Sequence, residues 1–371
     1  MTDPVWEDGG WSPLPSLEGD ASCDVCVVGL GGSGLSAVHE LLDLGVSVVG
    51  IDARAVAAAA AGRNGGFLLA GCYHFYHDAI AQYGHDRARA IYRLTLVQLT
   101  RIAAETPAAV RTVGSLRIAA SDDERADCLR QLEAMMADGI AVNRYVGPEG
   151  DGLLIPSDAA FDPLLRCRLL ARRALVRGAS LYEDTPALRV TPGSVMTHQG
   201  TVTCGAVIVA LDGALPLLLR DLVPRVRIAR LQMRATAPAP EVSIPRPVYR
   251  RFGMDYWQQL PDMRIAMGGF RDLGGDDEWT RSTETTPVIQ DALEAHLRAI
   301  GVTAPVTHRW AASVGYTADG LPVCEEVAER VWAVGAYSGT GNVIGALCGR
   351  AAARALVLGD TAFAAPLLSG A

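Results

Sequence analysis

The feature that most constrains this chain is a strand–turn–helix–strand pattern near its amino terminus, DVCVVGLGGSGLSAVHELLDLGVSVVGID at residues 24–52. The run Cys26-Val27-Val28 predicts a short buried strand because it is rich in β-branched residues. Gly29, Gly31 and Gly34 follow as G-x-G-x-x-G. In such a turn the first glycine bends the chain, the second lets the backbone approach a pyrophosphate, and the third lets the helix pack closely on the strand.

The residues after the glycine turn complete this pattern. A helix is predicted over Leu35–Leu44, ended by Gly45, and a second strand over Val46–Ile51. Asp52 stands at the end of that strand, where a carboxylate can accept hydrogen bonds from the ribose hydroxyls of an adenosine. A tight turn without a ligand is the alternative interpretation. The strand, the helix and the terminal acid together favour dinucleotide binding.

Length and composition limit the possible classes of function. With 371 residues the chain is long enough for two domains or one interrupted domain. Its net charge of −8 argues against binding to nucleic acid or to an anionic membrane surface. No apolar run reaches the roughly 18 residues of a membrane span, and residues 1–20 lack the basic start of a secretory signal.

Two residue types bear on the chemistry that is available. All 33 basic residues are arginine, so no lysine amine can act as a base or as a Schiff-base nucleophile. The 8 cysteines fit a reducing cytoplasm. Cys23 and Cys26 have C-x-x-C spacing, but no second pair follows, so the sequence predicts no metal site.

Beyond the first pattern, hydrophobic periodicity and turn residues predict the remaining elements. The predicted helices are 78–105 with a break at Gly84, 122–138, 162–177, 286–300 and 342–358. The predicted strands are 113–119, 142–146, 180–183, 187–190, 195–197, 201–204, 207–211, 225–236, 248–251, 256–259, 264–268, 309–314 and 331–336. The glycine-rich stretch 148–152 is interpreted as the point at which the chain changes character.

Two further glycine-rich stretches indicate how the chain is organised. GRNGG at 62–66 predicts backbone that lies against a flat ligand, with a simple hinge as the alternative. Gly339-Thr340-Gly341 joins a predicted strand to the last helix. The βαβ start, the interrupted middle and this late turn indicate an interleaved α/β architecture, α+β overall. One domain would bind the nucleotide, and a second domain would be built on a mostly antiparallel sheet.

With these residues placed, the chain resembles the FAD-dependent D-amino-acid oxidase superfamily, which includes glycine oxidase and sarcosine oxidase. Within it, the chain is most similar to the γ-glutamylputrescine oxidase subgroup. The segments that carry the resemblance are VVGLGGSG at 27–34, Asp52, GRNGG at 62–66, VIVALDGA at 207–214, WAASVGYTADGLP at 310–322 and GAYSGTGNVIGALCG at 335–349.

The resemblance implies a Rossmann-like FAD-binding domain of the glutathione-reductase type, interleaved with the substrate domain. We assign an amino-terminal arm to 1–22. The FAD-binding domain is assigned to 23–112, 152–224 and 306–371, and the substrate domain to 113–151 and 225–305.

The resemblance also implies which residues contact FAD. The glycines after the first strand and Asp52 would bind the ADP half, the GRNGG loop would approach the isoalloxazine, and the SGTG turn would contact the pyrimidine end of the flavin. A helix N-terminus there suits the negative charge that develops on the reduced flavin. The implied contacts are Gly29, Gly31, Gly32, Ser33, Gly34, Asp52, Ala53, Arg54, Gly62, Arg63, Asn64, Gly65, Gly66, Val190, Gly213, Ser338, Gly339, Thr340, Gly341 and Asn342.

The chain departs from the family pattern at several positions. Ala57–Ala61 stands where the loop usually carries glycines and a serine, so one possible phosphate contact is lost. Thr340 replaces the histidine of the usual GHG turn, and Leu211-Asp212-Gly213 replaces an ATG-like segment. Ala312 stands near the position at which sarcosine oxidases attach flavin through a cysteine. The resemblance therefore implies noncovalent FAD.

Two absences bear on the reaction. Val314 occupies the position of the arginine that clamps the substrate carboxylate in glycine and D-amino-acid oxidases, and a valine cannot bind a carboxylate. This disfavours a simple α-amino acid. The chain also lacks the lysine that speeds reoxidation of flavin by oxygen in sarcosine oxidases. An arginine or a different electron acceptor would have to replace it.

The resemblance implies oxidation of an amine or amino acid derivative, by hydride transfer from the carbon bearing nitrogen to flavin N5 and hydrolysis of the imine. The candidate catalytic residues are Tyr249, Arg251, Tyr256 and Trp257. They lie on adjoining predicted strands, where an aromatic pair would suit a cationic or apolar amine. Ordinary sheet packing is the alternative. Arg250 or Arg251 could clamp an anionic tail of the substrate.

The predicted partners are a small-molecule amine or amino acid and O2 or another electron acceptor. Two other functions stay open. One is a flavin dehydrogenase of a hydroxy acid. The other is an FAD-binding subunit without turnover in a dehydrogenase complex, which the alanine-rich loop keeps open. His74 and His77, just after the GRNGG loop, could lie near the active site.

Overall fold

The computed structural model of the chain describes residues 3–7 and 9–368. Its strands, numbered in chain order, are β1 Ala21–Val28, β2 Val48–Ile51, β3 Phe67–Leu68, β4 Val110–Arg111, β5 Ser115–Ile118, β6 Asn143–Gly147, β7 Gly150–Ile155, β8 Ala159–Phe161, β9 Ser180–Tyr182, β10 Arg189–Thr191, β11 Ser194–Met196, β12 Thr201–Val209, β13 Arg227–Pro238, β14 Val248–Arg250, β15 Asp255–Gln259, β16 Arg264–Gly269, β17 Val306–Tyr316, β18 Val323–Ala328 and β19 Val331–Gly335. Its α-helices are α1 Gly32–Asp43, α2 Tyr76–Tyr83, α3 His85–Glu105, α4 Asp122–Ala137, α5 Pro163–Val176, α6 Leu215–Leu218, α7 Pro287–Ala299 and α8 Ile344–Leu358. Within the described ranges, every helix is too short or too polar to cross a membrane.

The chain divides into two compact units whose segments alternate along the sequence. The β1 unit comprises Gly9–Gly62, Pro163–Ile228 and the described part of Val314–Ala371. The β15 unit comprises the described part of Met1–Asp8, Arg63–Asp162 and Ala229–Ser313. The mixed α/β class and the interleaving are confirmed. The assignment of a flavin-binding and a substrate role to the segments stays a prediction. Residues 1, 2 and 8 of the predicted arm, and 369–371, lie outside the described residues.

The β1 unit is built on a mostly parallel sheet centred on β1. Strands β2 and β12 pair with β1 in parallel, one on each side, and β9 and β19 extend the sheet in parallel. Residues 25–28 are buried throughout, as expected of a strand that is covered on both faces. The predicted strand–turn–helix–strand pattern is confirmed in this unit.

Strand β12 corrects one prediction. The sequence predicted two strands, 201–204 and 207–211, but the structure has a single strand, Thr201–Val209. It continues through Gly205 because β1 runs beside its whole length, from Ala21 opposite Val202 to Val28 opposite Val209. A Cβ on Gly205 would lie 3.0 Å from the carbonyl oxygen of Asp24. The glycine therefore serves a close approach of two strands rather than a break.

The helices of the β1 unit pack closely because they carry small residues. Helix α1 packs against α8 and α5. A Cβ on Gly349 of α8 would lie 2.0 Å from the carbonyl oxygen of Ser33 in α1, so a larger residue at 349 would separate the two helices. A buried ion pair joins the same helices, since Arg350 Nη1 lies 3.0 Å from Glu40 Oε2. Gly359 ends α8 in the left-handed conformation, as predicted.

The β15 unit is built on the mostly antiparallel sheet that the sequence predicted. Its strand order is β17-β13-β16-β15-β14-β5-β7-β6, and the β14–β5 pair is parallel. Helix α7 covers one face, where its residues Ile289, Leu293 and Leu297 join a core cluster with Trp257 and Met267. The predicted break at Gly84 is confirmed, since it separates α2 from α3.

A hairpin occupies the stretch that the sequence interpretation took for a change of character. Strands β6 and β7 pair from Gly147 opposite Gly150 to Asn143 opposite Leu154. Gly152 is required there because a Cβ at this residue would lie 1.9 Å from the carbonyl oxygen of Arg117 on the neighbouring strand β5. A glycine-rich stretch within closely paired strands has the same composition as a glycine-rich linker. The prediction therefore missed β7.

Candidate active site

The first glycine turn lies in the β1 unit and is constrained by steric contact. Gly29 has a φ of +104°, and a Cβ on it would lie 2.4 Å from the carbonyl oxygen of Ala210. A Cβ on Gly34 would lie 1.8 Å from the carbonyl oxygen of Gly29. Any side chain at 34 would thus push α1 away from the end of β1. The roles predicted for the first and third glycines have this physical basis.

The middle of the same turn has more room. A Cβ on Gly31 would lie 3.2 Å from Cβ of Ala61, and one on Gly32 would lie 3.4 Å from Nη1 of Arg166 on α5. Gly31 precedes the first residue of α1 and accepts a hydrogen bond from the N–H of Leu35 at 2.9 Å. The start of a helix with small residues around it can accommodate an anionic group.

Asp52 connects the end of β2 to the glycine turn. Its Oδ2 accepts a hydrogen bond from the N–H of Leu30 at 2.8 Å, and its Oδ1 accepts one from the N–H of Arg54 at 3.0 Å. Burial raises the pKa of Asp52, and these two N–H donors oppose the rise. Each carboxylate oxygen keeps a further lone pair for a ribose hydroxyl. Ala53 and Arg54, also predicted to contact FAD, are exposed beside it.

The late glycine turn, also in the β1 unit, is fixed by Asp212. Its Oδ1 accepts from the N–H of Tyr337 at 3.3 Å and its Oδ2 from the N–H of Gly315 at 3.1 Å. Burial raises the pKa of Asp212, and these donors oppose the rise. A Cβ on Gly213 would lie 2.9 Å from the nitrogen of Gly315. The aspartate that replaces the ATG-like pattern thus orders this turn.

Ser338 starts the turn with a left-handed φ of +52°, and its N–H donates to the carbonyl oxygen of Gly315 at 2.9 Å. The hydroxyl of Thr340 donates to the carbonyl oxygen of Tyr337 at 2.6 Å. Helix α8 begins at Ile344, two residues later than predicted, after Asn342. Thr340 therefore stabilises the turn locally, at the position where the family has a histidine.

The remaining predicted FAD contacts of the β1 unit are Val190 and Gly62. Val190 is on β10, opposite Val195 of β11, in the antiparallel edge of the sheet. Gly62 ends the alanine-rich loop, and its N–H donates to the carbonyl oxygen of Ala57 at 3.0 Å. A Cβ on Gly62 would lie 2.5 Å from that same oxygen.

The loop 63–66 lies in the β15 unit, and two tryptophans anchor its first half. Trp310 Nε1 donates to the carbonyl oxygen of Arg63 at 2.8 Å, and Trp6 Nε1 donates to that of Asn64 at 2.9 Å. Arg63 Nε in turn donates to the carbonyl oxygen of Ala311 at 2.9 Å. The sequence interpretation missed both tryptophans. Buried indole N–H groups need an acceptor, which is the one signal that could have suggested a role for them.

Gln258 anchors the second half of the loop. Its Nε2 donates to the carbonyl oxygens of Gly65 and Gly66, at 2.6 Å and 2.9 Å. The N–H of Gly66 donates to Oδ1 of Asn64 at 2.9 Å, and the N–H of Phe161 donates to the carbonyl oxygen of Gly66 at 2.9 Å. The backbone of the loop is therefore fixed at four consecutive carbonyl groups.

Tyr256 packs directly against this loop. A Cβ on Gly65 would lie 2.9 Å from its ring, and a Cβ on Gly268 of the neighbouring strand would lie 2.5 Å from it. Two glycines thus make room for one aromatic side chain. Phe67 meets the same ring edge to face, with centroids 6.0 Å apart. Tyr256 is the predicted catalytic residue that the structure brings to the predicted flavin loop.

Trp257 and Tyr249 lie elsewhere in the same sheet. Trp257 faces away from Tyr256, into the core, with its ring 4.9 Å from that of His296. Tyr249 lies opposite Tyr256 in the β14–β15 pair and is buried, stacked on Phe75 at 6.3 Å. Alternation along a strand sends neighbouring residues to opposite faces, so Tyr256 and Trp257 do not form an aromatic pair. A catalytic role for any of them stays a prediction.

The predicted arginines and histidines of the β15 unit already have partners. Arg251 has a left-handed φ of +50° and forms ion pairs with Asp255, at 3.3 Å, and with Asp272. Arg250 Nη2 lies 3.2 Å from Nδ1 of His296. The ring of His74 lies 5.0 Å from that of Tyr73.

His77 belongs to a charged cluster. Its Nε2 lies 3.0 Å from Oδ1 of Asp127, and together with Asp78 the two offer ligand atoms within 4.8 Å of one another. Arg117 and Arg130 also bind Asp127. Burial opposes ionisation of Asp127, but hydrogen bonds from Arg117 and His77 hold its pKa below the usual value. The carboxylate is thus neutralised by protein cations.

A buried carboxyl that the sequence interpretation missed is Asp158, in the same unit. Burial raises its pKa to about 7, although the hydroxyl of Ser115 at 2.6 Å and the N–H of Ala70 at 3.0 Å donate to it. It precedes β8, which pairs with Phe67–Leu68 directly after the glycine loop. An aspartate after a serine in a predicted loop gives no sign of burial.

Each unit by itself fits part of an FAD molecule. In the β1 unit, glycines whose Cβ positions are blocked and a carboxylate with spare lone pairs match the needs of a nucleotide. In the β15 unit, the N–H of Gly65 has no acceptor within the described residues and is available to a ligand. A glycine loop beside an aromatic ring also suits a flat ring system.

Comparisons with known proteins agree with this geometry. A family model described as FAD dependent oxidoreductase matches residues 24–355. Gamma-glutamylputrescine oxidoreductase of Escherichia coli is 27% identical, over 94% of this chain and 87% of that protein. A probable oxidoreductase named OrdL from Rhizobium meliloti is 27% identical, over 91% of this chain and 83% of its own length. Glycine oxidase from Bacillus cereus has the same fold, with a TM-score of 0.76 and 18% identity, covering 94% of this chain and 99% of that one.

Proposed function

The chain belongs to the FAD-dependent oxidoreductase family, and from that premise we propose that it oxidises the C–N bond of an amine or amino acid derivative. The carbon bearing nitrogen loses a hydride and the nitrogen loses a proton, which leaves an imine. Water then hydrolyses the imine to a carbonyl compound and a released amine or ammonia. When bound, FAD supplies the two-electron acceptor for the hydride.

The observation that carries this proposal is the packing of Tyr256 against Gly65. It brings an aromatic side chain of the antiparallel sheet to the loop that is proposed to contact the flavin. An aromatic ring offers an apolar face and a phenolic edge to an amine. Tyr256 is therefore the residue that we propose to border the substrate, with Phe67 behind it at 6.0 Å.

The protonation state of the substrate follows from the residues available. An amine gives up a hydride only as the free base, and an environment of low polarity lowers the pKa of an ammonium group. The chain has no lysine. Arg251 is engaged by Asp255 and Asp272. We therefore propose that the site selects the neutral amine by desolvation rather than by a strong base.

Two findings support an amine over a simple α-amino acid. Val314, at the position where the family resemblance places a carboxylate clamp, cannot pair with a carboxylate. The relative from Escherichia coli is named for an amine that carries a γ-glutamyl group. We propose a substrate whose reacting carbon bears an amino group and whose anionic group, if present, lies far from that carbon.

The residue composition bears on the electron acceptor and on the compartment. The electrons go to O2 or to another acceptor. Because the chain has no lysine to speed the reaction of reduced flavin with O2, an acceptor other than O2 is favoured. All the cysteines are free thiols, and six of them are buried. Free thiols are consistent with a reducing cytoplasm as the place of the reaction.

An anaerobic reduction experiment tests the proposal. The FAD-loaded protein is mixed without oxygen with γ-glutamylputrescine, simple amines, α-amino acids and 2-hydroxy acids, while the visible absorbance of the flavin is followed. We expect amines to bleach the flavin and hydroxy acids to leave it oxidised. Bleaching by hydroxy acids alone would indicate a hydroxy-acid dehydrogenase. A yellow protein that no compound reduces would indicate a non-catalytic subunit.

A further inference from the structure

Gln258 on β15 is a buried side chain whose amide orientation is fixed. It is 1% exposed. Arg111 Nη2 donates to its Oε1 at 3.0 Å and to the carbonyl oxygen of Gln259 at 2.9 Å. Because a guanidinium can only donate, Oε1 must face Arg111 and the NH2 group must face the other way. The NH2 group therefore points to the carbonyl oxygens of Gly65 and Gly66.

Hydrogen bonds to the carbonyl groups of the loop determine where its N–H groups point, and one of them comes from Trp6. In a trans peptide the C=O and N–H bonds point in opposite directions. The carbonyl of Asn64 is bound by Trp6, so the N–H of Gly65 in the same peptide group is directed away from Trp6. That N–H has no acceptor among residues 3–7 and 9–368. The loop thus combines anchored carbonyls with a donor left for a ligand.

We propose that Gln258, oriented by Arg111, is a positioning residue for FAD: it prevents the peptide groups after Gly65 and Gly66 from turning a carbonyl toward the bound flavin. The inference rests on the proposed contact of the loop with the flavin. A carbonyl oxygen directed at the ring would repel the negative charge of the reduced cofactor, whereas the N–H of Gly65, oriented by Trp6 through the carbonyl of Asn64, would stabilise it. Gln258 therefore acts through the backbone and touches neither substrate nor cofactor.

The packing around Gly66 shows that the amide cannot shift to another role. A Cβ on Gly66 would lie 2.5 Å from Nε2 of Gln258, so the amide is already pressed against the loop backbone. Both acceptors lie within 2.9 Å of Nε2, and its own oxygen is bound by a cation. Hydrogen bonds supported by a charged group are stronger than neutral ones.

The test compares Gln258→Met with Gln259→Met in the full-length protein. Methionine preserves the length of the side chain and removes the donor. Gln259 is a matched control because its Nε2 donates to the carbonyl oxygens of Ala239 and Val242, both at 3.1 Å, away from the loop. The two measurements are the dissociation constant of FAD and the affinity of the FAD-loaded protein for sulfite. Sulfite is an anion that adds to oxidised flavin most tightly where the surroundings stabilise negative charge.

For Gln258→Met we expect FAD to bind about tenfold more weakly, since one buried donor is lost. We expect sulfite affinity to fall by a similar factor in the fraction that retains FAD. Gln259→Met should lose thermal stability without changing either affinity. Gln258→Asn, one methylene shorter, should shift both affinities in the same direction and replaces the methionine variant if that one does not fold.

Two results would overturn the inference. One is sulfite affinity at the wild-type value in Gln258→Met. The other is an equal loss of FAD affinity in both methionine variants, which would reveal a general effect on stability. Neither measurement depends on turnover. If no amine reduces the wild-type protein, the proposed function fails while FAD and sulfite binding still decide the role of Gln258.

Discussion

The glycine turn at 29–34 and the glycine loop at 63–66 are similar in composition but are fixed in different ways. The turn is fixed by steric contact between backbone atoms, since a Cβ on Gly34 would lie 1.8 Å from the carbonyl oxygen of Gly29. The loop is fixed by side chains from distant parts of the sequence, namely Trp6, Gln258 and Trp310. A locally determined motif can be identified from its spacing, whereas the distant side chains that anchor the loop cannot be identified from the sequence.

The largest effect predicted by this comparison is that of Gly34→Ala. No relaxation short of moving α1 removes a contact of 1.8 Å, so we expect a protein without bound FAD or no folded protein. Gly45→Ala, at the other end of α1, is the control, because its Cβ would meet nothing within 4 Å. FAD content per chain and the melting temperature are the measurements. Normal FAD content in Gly34→Ala would show that steric contact does not fix the turn.

A large loss of stability is also expected for Gly66→Ala in the loop. Its φ of +72° and a Cβ position 2.5 Å from the carbonyl oxygen of Phe161 should together cost about 3 kcal/mol or more. Gly84→Ala shares a positive φ of +86° but has nothing within 4 Å, so it should cost about 1 kcal/mol. Urea denaturation of both variants measures the difference. Equal losses would mean that strain at positive φ, rather than contact with the anchors, dominates.

Asp158, in the unit that contains the loop, should make the stability of the protein depend on pH. Burial raises the pKa of this carboxyl from 3.8 to about 7, so the folded state favours the protonated form. Its contribution to stability is fully present below about pH 4 and is lost as pH rises through 7. In Asp158→Asn, which mimics the protonated form, that loss is absent. The variant should match the wild type near pH 4.

We therefore expect the free energy of unfolding of Asp158→Asn, relative to the wild type, to rise by roughly 4 kcal/mol between pH 4 and pH 8. Chemical denaturation across that range is the measurement. A difference between the two proteins that does not vary with pH would show that Asp158 is ionised in the folded state. Ser115, whose hydroxyl donates to Asp158 at 2.6 Å, would then be the stronger influence.

The smallest predicted effect is that of Trp310→Phe, which removes one anchor of the loop. The carbonyl oxygen of Arg63 loses its donor at 2.8 Å, which should cost about 1–3 kcal/mol of stability. FAD affinity should fall less than in Gln258→Met, because only one peptide group is released. A larger fall in FAD affinity than in Gln258→Met would reverse the order of importance that the geometry assigns to the two anchors.

Particular residues show which parts of the structure sequence reasoning can reach. The first strand, glycine turn, helix and Asp52 are predictable because their constraints act within one short segment. The single strand β12 was predicted as two because Gly205 resembles a break, and only β1 running beside it explains its continuity. Gly152 was likewise not assigned to a strand, because the close approach of the neighbouring strand β5 is visible only in the structure.

Some features of the candidate site could be predicted from the sequence and others could not. The resemblance supplied the family and its cofactor, and the family match confirms both. Tyr256 could be proposed from the sequence because it lies on one of two adjoining predicted strands, and its catalytic role stays a prediction. Its separation from Trp257 became visible only in the structure. Gln258 could not be found, since an amide in a strand gives no sign that a guanidinium will orient it toward a loop almost two hundred residues away in sequence.

The most direct test of FAD binding is a titration of the purified, folded chain with FAD, followed by flavin fluorescence and repeated in the presence of ADP. We expect tight, saturable binding of one FAD per chain, with ADP competing because it matches the glycine turn and Asp52. A chain with a normal melting transition that leaves FAD fluorescence unchanged would contradict it.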